Sequence, residues 1–234
     1  AKSAGDQFSF LRDEFAKNAG QMAMLSKATN ITNEGMAELA QRAKQSGVDS
    51  KQMLDETAVS IAHLSDQFGV SAKVIGKGFD EMVKDVENFG HLAPKELAAV
   101  ATYAAKLGVE VKALAGIMQQ FDTCESAAES AGKLNQMLGM NIDTMKMMQA
   151  ENPAERMDML RKSFEQTGRS VNDLTRHELK AMSDAMGGIP VDQLKNSLSV
   201  STADTNFAGI AAEAEKAQKK RTAEEALSKM ADNM

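Results

Sequence analysis

The chain has 234 residues, of which 43% are hydrophobic, 4% are aromatic and 26% are charged. A hydrophobic share of this size permits a substantial core and excludes global disorder. The formal net charge is −6, with acidic and basic residues interspersed, which argues against a protein that binds nucleic acid or anionic membranes through its charge.

The beginning of the chain, "AKSAGDQFSF", has no hydrophobic signal-peptide region and does not start with Met. We therefore expect a processed chain or a piece of a longer one. The longest apolar run, "LAAVATYAA" at 97–105, is much shorter than the roughly 20 residues of a transmembrane helix. We expect no stable membrane span.

Apolar residues recur at helical spacing along nearly the whole chain. In chain order the stripes cover residues 8–25, 54–68, 75–89, 97–107, 111–138, 157–164, 179–186 and 194–198. No segment alternates with period two for long enough to form a strand. The pattern predicts an all-α fold of short-to-medium helices in packed hairpins or a bundle, ending in an extended C-terminal helix.

Residues typical of helix ends agree with these stripes. Pro94 and Pro153 stand where first helical positions are expected, and Asn152 is a candidate N-cap. Thr175 with Glu178, and Asp49 with Gln52, have the spacing of capping boxes. Glycines that follow apolar stripes predict left-handed C-caps at Gly47, Gly69, Gly90, Gly108, Gly139, Gly168 and Gly187.

Composition divides the chain into three predicted regions. Residues 1–92 form an N-terminal helical region, and residues 93–199 form a strongly patterned helical module. Residues 200–234 comprise a polar linker and a C-terminal helix that is rich in Ala. The apolar face of this last helix is narrow, so we expect it to need a partner helix for stability.

Residues that could carry catalysis are few and scattered. His63, His91 and His177 do not pair at i,i+4, and "RHELKA" has Ala181 where a zinc-peptidase helix would have its second histidine. We interpret the histidines as surface or capping residues. Cys124, the only cysteine, has no adjacent histidine and is interpreted as a buried structural residue or a bystander. We predict no catalytic residue, metal site or cofactor.

The one basic run, "KAQKKR" at 216–221, is flanked by glutamates and is typical of a solvated helix face with i,i+4 ion pairs. This pattern gives no reason to expect specific binding of nucleic acid.

Methionine is concentrated in "LGMNIDTMKMMQAENPAERMDML", residues 138–160. Three interpretations are open: core packing, a surface for a partner helix, or a soft-metal site. Helical spacing and the lack of histidine favour packing. The predicted core residues of this module are Leu114, Met118, Phe121, Leu134, Leu138, Met145, Met148, Leu160 and Phe164.

Residues 93–199 resemble a segment of the tail tape measure proteins of tailed bacteriophages, especially contractile-tailed ones. The residues that carry the resemblance are "AKLGVEVKALAGIMQQFDTCESAAESAGKLNQMLGMNIDTMKMMQAENPAERMDMLRKSFEQTGRSVNDLTRHELKAMSDAMG". They combine a run ending in Phe-Asp-Thr, a helix of small residues, a Met-rich turn, a Pro/Glu/Arg helix start and a Thr-Gly-x-Ser connector.

The resemblance implies a non-enzymatic structural protein of the virion tail, assembled in the host cytoplasm and located in the tail lumen or baseplate hub. Its expected roles are tail length determination, tail assembly and genome delivery. The expected partners are three or six copies of itself about the tail axis and proteins of the tail tube or baseplate hub. A cellular helical adaptor or scaffold without enzymatic activity is the alternative.

Overall fold

The fold is all-α, as predicted. A computed structural model describes residues 4–217 and residue 230; within the first helix, the side chains described are those of residue 13 and of residues 16 onward. This part of the chain contains thirteen α-helices, one 3-10 helix and no strand. The α-helices are α1 (Ala4–Thr29), α2 (Asn33–Ser46), α3 (Ser50–Phe68), α4 (Ala72–Lys84), α5 (Val86–Phe89), α6 (Pro94–Leu107), α7 (Val111–Gln120), α8 (Cys124–Leu138), α9 (Thr144–Gln149), α10 (Pro153–Glu165), α11 (Arg176–Ala185), α12 (Val191–Ser199) and α13 (Phe207–Ala217).

Three sequence predictions lie partly outside the described residues. The C-terminal helix is described as α13, which covers 207–217, and its predicted extension towards residue 234 lies outside them. The same holds for most of the basic run at 216–221, and for the side chains of Phe8, Leu11 and Phe15 in the first apolar stripe.

Local capping explains where the helices begin. The Asn152 side chain accepts a hydrogen bond from the Ala154 N–H, with Pro153 in the first turn, and Thr175 with Glu178 forms a capping box at α11. Both predictions are confirmed. Asp49 caps α3 through its own side chain, but the Gln52 amide bonds Glu56 instead, so the predicted box is wrong there.

Glycines are predicted as left-handed C-caps at the C-terminal ends of the helices. All except Gly90 have positive φ. At α10 and α11, however, the C-cap residues are Gln166 and Met186, so Gly168 and Gly187 lie beyond the C-cap and the prediction is wrong there. At Gly90 the prediction is wrong, because α5 is a four-residue turn and Gly90 continues its right-handed backbone with φ −62°.

The described residues form two compact units. Unit 1 comprises residues 4–102 and 211–217 with residue 230, and unit 2 is Tyr103–Ile210. The boundaries therefore fall within α6 and α13, rather than at 92/93 and 199/200 where composition changes.

In unit 1, helices α1 to α4 pack against one another. Each contributes one apolar face to a common core, whose fully buried side chains include Leu25, Met36, Ile61, Leu64 and Phe79. Burying apolar side chains of this size, each stabilising by about 1.5–3 kcal/mol, holds the four helices together.

In unit 2, α10 packs against α7 and α12, while α11 packs against α8 and α12. Its core includes Leu114, Ile117, Phe121, Met157 and Leu160, all fully buried. Among the helices described, none combines the length and the apolar character needed to cross a membrane.

Candidate functional site

The structure does not bring the potential catalytic side chains together. His91 and His177 are exposed, as interpreted from the sequence. His63 is 4% exposed and its Nε2 lies 3.0 Å from Glu213 Oε2 within unit 1, so the surface-or-cap interpretation is wrong for this residue. Cys124 is exposed, which excludes the buried structural alternative. Across the described residues, no group of three or more His, Cys, Asp or Glu side chains is placed to hold a metal ion.

Most of the predicted core residues of the patterned module lie in the interior of unit 2. The buried ones are Leu114, Met118, Phe121, Leu134, Leu138, Leu160 and Phe164. The prediction is wrong for Met145, which is 62% exposed, and Met148 is only half-buried. The reason is the rotation of α9, a helix of six residues whose inward side chain is Met147.

Three of the six methionines in residues 138–160 are therefore packing residues. Met140, Met147 and Met157 are buried between helices, where the flexible thioether chain fills irregular space. The partner-surface interpretation stays open only for the methionines that remain exposed or half-buried.

A buried polar cluster, which sequence reasoning missed, lies beside this packing. It consists of Tyr103 from α6 with Asp158 and Arg161 from α10, and we call it the Arg161 cluster. Arg161 is the largest fully buried side chain in the described residues. Its Nη1 donates to the Tyr103 hydroxyl at 3.0 Å and to Asp158 Oδ1 at 3.2 Å, and the Tyr103 hydroxyl donates to the same oxygen at 3.0 Å.

The remaining hydrogen bonds of Arg161 go to backbone carbonyls. Nε donates to Ser197 O at 2.9 Å, Nη2 to Val200 O at 2.6 Å and Nη1 to Thr205 O at 2.8 Å. Ser197 lies in the last turn of α12, whose final carbonyls lack partners within the helix. Val200 and Thr205 lie in the polar linker, residues 200–206, between α12 and α13. One side chain thus joins α6, α10, the end of α12 and the linker.

One helical turn beyond Arg161, Glu165 holds the same linker from the outside. Its two carboxylate oxygens accept hydrogen bonds from the Ser201 and Thr202 hydroxyls. The bond from Thr202, followed by the bond from Ser201, lowers the pKa of Glu165 against the opposing effect of burial. The polar linker is therefore fixed at successive points to one face of α10.

The buried Asp158 carboxylate of the Arg161 cluster is paired with cations, Arg161 first of all. Asp158 Oδ2 also lies 3.1 Å from Lys162 Nζ, so the buried carboxylate faces two cations. Burial raises the pKa of the Tyr103 phenol well above its usual value of 10.0, outweighing the opposing charge of Arg161. The phenol therefore stays neutral and can donate its proton to Asp158 in a hydrogen bond.

Aromatic contacts surround this cluster. The Arg161 guanidinium carbon lies 5.7 Å from the centre of the Tyr103 ring, within the range of a cation–π contact. The ring of Phe207, at the start of α13, meets Tyr103 edge-on with centroids 5.8 Å apart. Arg161 itself is fully buried, and this low-dielectric environment strengthens its electrostatic interactions.

A second arginine, Arg156, makes a similar brace on α10, five residues before Arg161. Arg156 Nε donates to Ala150 O at 2.8 Å, and its Nη1 donates to Met118 O and, at 2.9 Å, to Asp122 Oδ1. Met118 O is one of the final carbonyls of α7. Both arginines therefore satisfy helix C-termini, where a cation is also favoured by the helix dipole.

The sequence carries only a weak signal for these arginines. In "PAERMDMLRKSFEQ" they alternate with acidic residues at helical spacing, which is equally typical of an exposed ion-paired face. The presence of a single Tyr in an Ala-rich helix was the better indication, because a buried hydroxyl requires a polar partner.

The arrangement is suited to holding segments together rather than to chemistry. Every nitrogen of the buried Arg161 guanidinium group donates a hydrogen bond to the protein.

Comparisons of the chain with protein-family models, curated proteins and solved structures found no match.

Proposed function

We propose that this chain is a structural, non-enzymatic component of a bacteriophage tail, of the tape measure type. The observation that carries the proposal is the overlap between the segment with tape-measure resemblance, residues 93–199, and unit 2, Tyr103–Ile210. Residues 93–102 belong to unit 1, but the quoted residues that carry the resemblance, 105–187, all lie within the helices and connectors of unit 2.

Within this proposal, unit 2 acts by presenting a helical surface of fixed shape. The Arg161 cluster ties four segments of unit 2 through hydrogen bonds that exclude other ligands from the guanidinium. Such a buried, satisfied polar cluster favours one packing arrangement over alternatives. Its role would be to hold the linker and the start of α13 in place while the protein packs against its neighbours.

The proposed partners are further copies of this chain, three or six about the tail axis, and proteins of the tail tube or baseplate hub. The proposed location is the tail of the virion, after assembly in the host cytoplasm. There the protein would contribute to tail length, tail assembly and genome delivery. No membrane insertion and no specific nucleic-acid contact are part of the proposal.

The test is quantitative mass spectrometry of purified particles. The expected result is the protein in intact tails at three or six copies per particle, together with the mass of the chain as it occurs there. Absence from particles would refute the proposal and favour the cellular adaptor or scaffold.

A matched pair of variants sharpens this test. Arg161→Met removes the buried cation, whereas Arg176→Met makes the same change at an exposed position. We expect particles produced with Arg161→Met to be deficient in assembled tails, and particles with Arg176→Met to be normal. Equal tail yields from the two variants would contradict a role for the shape of unit 2 in assembly.

A further inference from the structure

The linker, residues 200–206, is held to α10 by two anchors that differ in their exposure to solvent. The inner anchor is Arg161, which is fully buried and donates hydrogen bonds to the carbonyls of Val200 and Thr205, near the two ends of the linker. The outer anchor is Glu165, which is exposed and accepts hydrogen bonds from two hydroxyls that lie between those ends. Because water competes for exposed hydrogen bonds, the outer anchor is the weaker of the two.

Between its ends the linker forms a tight turn that is closed by hydrogen bonds to Ser201. The N–H groups of Asp204 and Thr205 donate to the Ser201 carbonyl at 3.2 and 3.0 Å. The N–H of Ala203 donates to the Ser201 hydroxyl at 3.2 Å, and the same hydroxyl donates to Glu165 at 3.1 Å. The turn and the outer anchor therefore share one residue, so that releasing Glu165 loosens the turn.

A cavity of about 250 Å³ lies beside this turn. Its lining includes Phe164 and Glu165 of α10, Leu198 of α12, and Val200 and Thr202 of the linker. A close-packed interior resists the displacement of its segments, whereas empty space beside a segment leaves it room to move. Since α10 and α12 are helices that pack against each other, the linker is the part of the cavity wall that can be displaced.

We propose that residues 201–204 form a strap over this cavity and that Glu165 is the latch that keeps the strap closed. In the open state Arg161 continues to hold both ends of the linker, while the turn between them leaves α10. Opening breaks hydrogen bonds that are exposed to water and leaves the buried inner anchor intact. The inference concerns contacts within unit 2 and does not rest on the proposed function.

The latch depends on the charge of Glu165. The ionised carboxylate offers two acceptor oxygens, and each of them is used by one hydroxyl of the strap. Protonation turns one of these oxygens into a donor. The hydrogen bond from Thr202 lowers the pKa of Glu165 below its usual 4.5. The latch is therefore fully engaged above pH 4.5 and releases as the pH falls through the lowered pKa.

The charged side chains around Glu165 come from α10, from the connector that follows it and from the linker. On α10 they are Arg161, which is buried, and Lys162, which is exposed. Arg169, in the connector, lines the same cavity, to which α12 contributes an apolar side chain. The linker carries only Asp204, which is exposed. The three cations keep their charge in acid and Asp204 is not part of the outer anchor, so acid acts on the latch through Glu165.

Hydrogen–deuterium exchange of the full 234-residue chain tests the latch. At pH 7, Glu165→Ala should raise the exchange rates of the Ala203, Asp204 and Thr205 amides about tenfold, as expected for the loss of two exposed hydrogen bonds. Glu165→Gln, which keeps one carbonyl oxygen, should have an intermediate effect. Glu125→Ala, the same change at an exposed glutamate of α8, should leave these rates unchanged.

The pH dependence separates a latch from a general loss of structure. Relative to the rates of an unstructured peptide, wild-type exchange in residues 203–205 should approach that of Glu165→Ala as the pH falls below 4.5. Protection of α10 and α12 should be the same in both proteins. Three results would overturn the proposal: equal exchange of the strap in the two proteins at pH 7, a difference between them that persists unchanged in acid, or a loss of protection in Glu165→Ala that extends into α10 and α12.

Discussion

Replacing Arg161 by methionine tests whether the buried cluster holds unit 2 together. Methionine keeps much of the length of the side chain while removing the charge and all of its donors. The change leaves the carbonyls of Ser197, Val200 and Thr205 without their guanidinium partner. It also removes one of the two cations that Asp158 faces, so that Lys162 remains.

The expected loss of stability depends on the charged and polar groups that stay buried after Arg161 is replaced. Removing one partner of a buried ion pair costs about 3–5 kcal/mol, because the other charge remains desolvated. Carbonyls that lose their donor add to this, although Val200 lies at a part-buried position that water can reach more easily. We therefore expect Arg161→Met to lower the free energy of unfolding of unit 2 by about 3–5 kcal/mol.

The protein provides its own probe for this measurement. Tyr103 is the only tyrosine, and the chain has no tryptophan. Tyrosine fluorescence during urea denaturation therefore reports on the Arg161 cluster itself, while far-UV circular dichroism reports on all helices. Arg176→Met, at an exposed position, should change the free energy by less than about 0.5 kcal/mol.

A double variant separates the charge from the loss of volume. Asp158→Asn in the Arg161→Met background removes the carboxylate that has lost its buried cation and keeps only Lys162. The two changes together should therefore cost less than the sum of the single changes, by about 0.5–3 kcal/mol. Additive losses would mean that the two side chains are not coupled. A loss below about 1 kcal/mol for Arg161→Met would refute the reasoning about the buried cation.

Three further predictions concern packing and pH. Gly76→Ala should lower the free energy of unfolding by about 1–3 kcal/mol, because the new Cβ would clash with the Thr29 backbone. Gly132→Ala, where the new Cβ has no heavy atom within 4 Å, should raise the free energy of unfolding by about 0.5–1 kcal/mol. Thermal melts of the two variants measure both changes. Burial raises the pKa of Tyr103 above its usual 10.0. The contribution of Tyr103 to stability is therefore full below pH 10.0 and should fall as pH rises above it, with phenolate absorbance appearing only on unfolding. Hydrogen bonding by the Thr175 N–H lowers the Glu178 pKa from 4.5 to about 2. Exchange protection of α11 should therefore decrease as pH falls through this range, and should change much less in Glu178→Gln.

Helix boundaries could be read from the sequence because they depend on neighbouring residues. Asn152 before Pro153, and Thr175 three residues before Glu178, satisfy the first free N–H groups of a helix within one turn. The same local rule was insufficient at Gly90, since a left-handed C-cap presupposes a longer helix than the single turn of α5.

The Arg161 cluster could not be read in this way. Its parts lie far apart in the sequence, at 103, at 158–161 and at 197–205. An arginine between apolar residues of a helix is ordinarily exposed. Only the approach of α6, α12 and the linker to one point of α10 supplies enough acceptors to bury it.

The methionines of α9 show where helical periodicity stops being informative. In a helix of six residues, any of Met145, Met147 and Met148 can be turned inward, because one turn contains no repeat to fix the phase. The neighbouring helices decide it, and they select Met147. Met147→Ala and Met145→Ala should therefore differ strongly in stability. Replacing the buried Met147 should lower the free energy of unfolding by about 2–5 kcal/mol, and replacing the exposed Met145 should lower it by less than about 0.5 kcal/mol, as measured by urea denaturation. Equal losses would show that α9 is rotated differently and that Met145 belongs to the core after all.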